Sequence, residues 1–137
     1  KNIDINAPLI GRFQKIKEKP ITIVDAAHNI DGIKNLFEKI KSMNFRKVHV
    51  VFGTVKDKDY MPVLKLLPQN FRYYFVKADL PRGLEDFTLF RIGKELNLNC
   101  KACGSVQNGV KEAQAESSGT RTLVLVTGSV FVVGEAI

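Results

Sequence analysis

The sequence predicts an α/β domain of three layers, Rossmann-like, with a mostly parallel sheet between helices on both faces. Two observations carry that prediction. Short β-branched runs alternate with single amphipathic stretches along the chain, which is the pattern of strand–helix–strand crossovers. The strand candidates are continuous apolar runs, such as Ile21-Thr22-Ile23-Val24, rather than alternating ones, as expected when both faces of a sheet are covered. At 137 residues with 45% hydrophobic content, the chain has material for one core without metals or disulfides.

The elements follow in order. Residues 21–24 form the first strand candidate, set off by Pro20 and Asp25. Residues 31–43 carry Ile33, Leu36, Phe37 and Ile40 at helical spacing. Residues 47–52 are a second strand, closed by Gly53, and residues 58–67 are expected to be helical, with Pro68 beyond the end. A third strand at 71–76 precedes a helix at 84–96, with Leu89, Ile92 and Leu96 on one face. Residues 99–102 give a short fourth strand, 106–117 a helix stopped by Ser118-Gly119, and 122–126 a fifth strand. The segment Val130-Phe131-Val132-Val133 has strand propensity, yet it follows Thr127-Gly128-Ser129 with Ser129 in position to cap a helix. A helix is expected there, because the fifth strand has just ended and a crossover is due.

Composition narrows the function classes. Net charge is +7, which favours anionic partners without naming them. The basic residues are not interleaved with aromatics on one face, so nucleic acid is not the expected partner. Apolar stretches are too short for a membrane-spanning helix, so no membrane partner is expected either. Neither a charged leader nor an apolar leader follows Lys1, and there are two cysteines; a cytoplasmic location is expected. Residues 130–137 stop in mid-pattern, so the chain is expected to be one domain, 1–137, of a longer protein. Cys100-Lys101-Ala102-Cys103 has the spacing of half a zinc or redox site, but a second pair is lacking, so both read as small apolar residues. Lys56-Asp57-Lys58-Asp59 reads as the solvated start of a helix.

Ligands of open α/β sheets bind beyond the carboxyl ends of the strands. Two loops stand out there. Asp25-Ala26-Ala27-His28-Asn29 brings an acid, an imidazole and an amide together directly after the first strand. Thr127-Gly128-Ser129 follows the fifth strand; its glycine permits close backbone approach, and its serine offers a hydroxyl for a carboxylate or phosphate. Each has a plainer reading, since Asp25 and Ser129 could cap the following helices and His28 could be a surface imidazole. If both strands are central, the loops converge on one crevice. Arg12, in Gly11-Arg12-Phe13-Gln14, could reach a phosphate bidentately or lie solvated. No glycine-rich phosphate loop ending in Gly-Lys-Ser/Thr occurs in the sequence.

The ordered set Gly11-Arg12-Phe13-Gln14, Val24-Asp25-Ala26-Ala27-His28-Asn29, Phe52-Gly53 with Lys56-Asp57-Lys58-Asp59, and Val126-Thr127-Gly128-Ser129-Val130-Phe131 with Gly134-Glu135 closely resembles the C-terminal domain of folylpolyglutamate synthase/dihydrofolate synthase, in the Mur ligase superfamily. The resemblance covers essentially the whole chain. It implies an ATP-dependent ligase that joins L-glutamate to folate or dihydropteroate through an acyl phosphate. It also implies an N-terminal ATPase domain that supplies the phosphate loop and the Mg²⁺ ligands, with no metal ligand and no catalytic residue in this domain alone. By position, Arg12 and Asp25 would serve ATP, and His28 and Ser129 would hold the incoming glutamate. The sequence departs from the family where Ala26 replaces a usual Gly, Ile30 a usual Pro, and Ile10 a frequent Pro. Two other readings stay open on residues alone: another Mur-type amino-acid ligase, acting on a cell-wall precursor, or a stand-alone module that binds an anion or nucleotide.

Overall fold

The computed structural model describes residues 11–137. In chain order the elements are β1 (Gln14–Glu18), β2 (Ile21–Asp25), α1 (Ile30–Ser42), β3 (Lys47–Phe52), α2 (Met61–Leu64), β4 (Arg72–Lys77), α3 (Asp86–Glu95), β5 (Asn99–Ser105), α4 (Val106–Glu116), β6 (Thr122–Thr127) and α5 (Val130–Ala136). The six strands form one sheet in the order β1-β2-β6-β3-β4-β5, parallel except for β1, which pairs antiparallel with β2. The three-layer α/β expectation holds.

The layers follow from strand periodicity. Successive side chains of a strand point to opposite faces, so Val50, Phe52, Leu123 and Leu125 share one core with Ile33, Phe37 and Ile40 of α1, Leu64 of α2 and Leu89 of α3. Val51, Val124 and Val126 point the other way, into a second core with Val106 and Ala113 of α4 and Val132 and Val133 of α5. All six β6 residues are buried, which is why this strand reads as an unbroken apolar run. Gly109 lets α4 settle on the sheet, because a β-carbon there would strike Val76.

Three details differ from the sequence reading. Strand β1 is an addition; its residues alternate Lys with Ile16, and it forms the sheet's edge. The helix expected over 58–67 shrinks to Met61–Leu64. Upstream of it, residues 55–56 bind the loop before α3: Val55 bridges Gly83, and the Lys56 amide donates to the Arg82 carbonyl at 2.8 Å. The fourth strand runs on to Ser105 rather than ending near 102. Residues 130–136 are helical as expected: Ser129 Oγ accepts the Val132 amide at 3.1 Å, and burial of Val132 and Val133 outweighs the weak helix propensity of valine.

Candidate functional site

The parallel registers Asp25↔Thr127 and Phe52↔Thr127 bring the carboxyl ends of β2, β6 and β3 level. From β2 the chain turns into α1 on one face; from β6 it turns into α5 on the other. Where adjacent strands send their connections to opposite faces, a crevice opens beyond their ends. It is a cleft of about 1060 Å³, and Arg12, Asp25, His28 and Ser129 all line it. The two loops singled out in the sequence therefore open on one cavity at one rim.

The loops are tied to each other. The Gly128 amide and the Thr127 hydroxyl both donate to the Ala27 carbonyl, at 3.2 and 3.3 Å. Gly128 has φ +115°, and a β-carbon there would overlap the Gly53 carbonyl oxygen, so glycine is required on both counts. Ser129 is 5% exposed; its oxygen caps α5, and its hydroxyl proton is left to donate. His28 is exposed, and its Nδ1 donates to the Ala26 carbonyl at 3.2 Å, which turns Nε2 outward.

Asp25 does not cap α1. Asn29 does, accepting the Gly32 amide at 2.8 Å. The Asp25 carboxylate instead accepts two loop amides, Phe13 through Oδ2 and Ala27 through Oδ1, each at 2.9 Å. Ala26, where glycine is usual, keeps an ordinary negative φ, so its extra carbon adds no backbone strain.

Sequence reasoning missed several cleft residues. Lys39 of α1 places its ammonium 3.9 Å from the centre of the Phe13 ring. At the other end Arg82 lies over Phe131, 5.4 Å from the ring centre, and pairs with Asp57 at 3.2 Å. Lys58 also faces the cleft. The usable signal was positional, because Lys58 and Arg82 lie in the loops that leave the carboxyl ends of β3 and β4. With Arg12, four cations line a cleft whose lining, among the described residues, holds one carboxylate, Asp25, an arrangement suited to an anionic ligand. Lys56 to Asp59, expected to start a helix, lie in the loop before α2.

Cys100 faces the first core and Cys103 the second, since three residues along a strand reverse the face. They cannot share a disulfide or a metal, and burial raises the pKa of both thiols, that of Cys103 to about 11. Among the described residues no group of three or more His, Cys, Asp or Glu is placed to hold a metal ion. No helix among them is long and apolar enough to cross a membrane.

A mostly parallel sheet with a cation-lined cleft at its topological switch point defines a Rossmann-like domain with a cleft suited to an anionic ligand. The sequence profile described as "Mur ligase, glutamate ligase domain" matches residues 11–130, and the chain belongs to that family. It is 28% identical over 131 residues to the probable bifunctional folylpolyglutamate synthase/dihydropteroate synthase of Haloferax volcanii, covering 96% of this chain and 16% of that protein. It is 31% identical over 128 residues to the dihydrofolate synthase/folylpolyglutamate synthase of Buchnera aphidicola, covering 93% of this chain and 30% of that one. The crystal structure of the Yersinia pestis bifunctional folylpolyglutamate synthase/dihydrofolate synthase with AMPPNP and Mn superposes with a TM-score of 0.82 at 28% identity, over 96% of this chain and 31% of that one. The chain thus spans less than a third of each of these proteins.

Proposed function

We propose that this chain is the C-terminal domain of an ATP-dependent ligase that joins L-glutamate to folate or dihydropteroate. The observation that carries the proposal is the convergence of Arg12, Asp25, His28 and Ser129 on one cleft. In the reaction the terminal phosphate of ATP passes to the substrate carboxylate. The amine of glutamate then attacks the acyl phosphate, and phosphate leaves from the tetrahedral intermediate. Arg12 and Asp25 serve the nucleotide. A guanidinium gains most against the charge of a transferring phosphoryl group when a closing domain excludes water. His28 and Ser129 hold the incoming glutamate: the outward Nε2, an acceptor while Nδ1 donates, takes its amine, and the Ser129 hydroxyl proton a carboxylate.

A preceding ATPase domain supplies the phosphate loop, which this sequence lacks. Mg²⁺ does not fit the described residues, because the cleft's one carboxylate has both oxygens on backbone amides; its ligands belong to that preceding domain. The location is the cytoplasm, where two unpaired thiols stay reduced.

The test uses the full-length enzyme. Arg12→Ala should raise the KM for ATP or lower kcat, and His28→Ala should raise the KM for glutamate, with unchanged circular dichroism. The 137-residue chain alone should show no ATP-dependent ligation. Parental rates in both variants, or turnover by the isolated chain, would overturn the proposal. Preferential turnover of a cell-wall precursor would move it to another Mur-type ligase.

A further inference from the structure

α5 is a short helix whose seven residues include four valines or phenylalanines and a glycine. Such a segment does not hold a helix by propensity, so tertiary contacts set its place. Val132 and Val133 are buried in the second core. Phe131 and Glu135, four residues apart, share another side of the helix. Both reach the loop between β4 and α3. The Arg82 guanidinium lies 5.4 Å from the centre of the Phe131 ring, and Glu135 Oε2 accepts the Asp79 amide at 2.8 Å, across 56 residues of sequence. That loop is a firm partner. The Leu80 amide donates to the Ala78 carbonyl at 2.8 Å, the Gly83 amide to the Leu80 carbonyl at 3.0 Å, and the Leu84 amide to the Thr54 carbonyl at 2.9 Å. Apolar burial has no direction and lets a helix turn about its axis, whereas a hydrogen bond has a preferred angle. The Glu135 bond therefore fixes the rotation of α5 on the sheet. Ser129 opens the same helix, capping it through Oγ, and lines the cleft. It stands six residues before Glu135, about 9 Å along the axis.

From this arrangement we infer that Glu135 is a positioning residue for the glutamate half of the cleft: through the Asp79 amide it sets the rotation of α5, and with it the direction of the Ser129 hydroxyl. This role rests on the assignment of Ser129 to glutamate. Without the acceptor, α5 turns on Val132 and Val133, and the hydroxyl moves off the substrate carboxylate. The nucleotide half keeps its own anchors, because the Asp25 carboxylate is held by the Phe13 and Ala27 amides rather than by α5.

The experiment is a double-mutant cycle in the full-length enzyme, read as KM for glutamate and, separately, KM for ATP. Glu135→Ala should raise the KM for glutamate about fivefold to tenfold and leave the KM for ATP within about twofold, a split that general loosening of the domain would not show. Glu135→Gln, whose amide oxygen still accepts the Asp79 amide, should return the KM for glutamate to within about twofold of the parent. Ser129→Gly removes the hydroxyl while glycine still serves as a helix cap. It should raise the KM for glutamate at least about tenfold, the loss of a hydrogen bond to a charged group. Adding Glu135→Ala to Ser129→Gly should change that KM by less than about twofold more, because the two act through one hydroxyl. If Glu135→Ala does not fold, Glu135→Asp keeps the charge, draws the acceptor back by a methylene and should show the same dependence on Ser129. Parental glutamate kinetics in Glu135→Ala, an equal rise in both KM values, a Glu135→Gln enzyme as impaired as Glu135→Ala, or full multiplicative loss in the double variant would each overturn this inference and leave the proposed function standing. A Ser129→Gly enzyme with a parental KM for glutamate would instead overturn the assignment of Ser129 in the proposed function.

Discussion

Replacement of Gly128 by alanine tests the rim geometry most directly. At φ +115° an alanine pays about 1–3 kcal/mol in backbone strain. Its β-carbon would also overlap the Gly53 carbonyl oxygen, a backbone atom of the neighbouring chain segment that cannot rotate aside. To make room, the ends of β6 and β3 must part. That weakens the Gly53 amide to Thr127 carbonyl bond and the Gly128 amide to Ala27 carbonyl bond, each worth about 1 kcal/mol. The expected loss is about 3–5 kcal/mol, a large share of the ~5–15 kcal/mol that stabilises a domain. Urea unfolding followed by far-ultraviolet circular dichroism measures it, tryptophan fluorescence being excluded because the sequence has no Trp. The control is Gly134→Ala in α5, where a β-carbon would meet nothing within 4 Å; it should be neutral or stabilising by up to about 1 kcal/mol. A Gly128→Ala chain within about 1 kcal/mol of the parent, or a control equally damaged, would refute the close approach of these strand ends.

Three further outcomes are expected. Ser129→Ala should cost about 1 kcal/mol from the lost α5 cap and, in the full-length enzyme, raise the KM for glutamate; loss of stability without a change in KM would remove Ser129 from the substrate site. Acid should destabilise the domain in two stages. Burial holds His49 below its ordinary 6.5, so its contribution is complete above that pH and falls as unfolded His49 takes up its proton; hydrogen bonds from Tyr74 and Lys101 hold Glu116 at about 2 against 4.5, so its contribution is lost between those values. A urea midpoint that rises from pH 7 to pH 4 would contradict this, and Tyr74→Phe, which removes the link between His49 and Glu116, should flatten the lower stage. Neither thiol should react with a disulfide reagent at pH 8 until the chain unfolds, and no Cys100–Cys103 disulfide should form on mild oxidation; rapid native labelling would contradict their burial.

The elements most legible in the sequence are those whose burial is uniform. β2, β3 and β6 are mostly apolar in their central residues, Thr22 and His49 aside, because both faces are covered, and α1 shows its stripe because one side alone meets the sheet. β1 was invisible for the converse reason: an edge strand with Lys15 and Lys17 facing water carries little apolar signal beyond Ile16. Upstream of the expected helix at 58–67, Val55 is tied by a tertiary bridge to Gly83, which no local propensity encodes. Of the site, Asp25, His28 and Ser129 were legible because two chemistry-bearing loops each follow a strong strand. The hydrogen-bond partner of Asp25 was not, since Phe13 lies twelve residues away, in a turn whose left-handed backbone (φ +49°) phenylalanine does not announce. Lys39 and Arg82 reach the cleft from a helix and a distant loop, so only the assembled topology brings them together.

The sheet order has a consequence for synthesis. Of the six described strands β6 is the last to leave the ribosome, yet it stands third in the sheet, and β2 and β3 pair with it rather than with each other. A chain that has emerged as far as Gly119 lacks the strand that joins β1-β2 to β3-β4-β5, so the inner edges of β2 and β3 have no partner until β6 follows. The same few residues that join the halves carry Gly128 and Ser129, so the fold and its cleft are completed in one step. A premature stop before Thr122 removes the central strand and with it the whole domain.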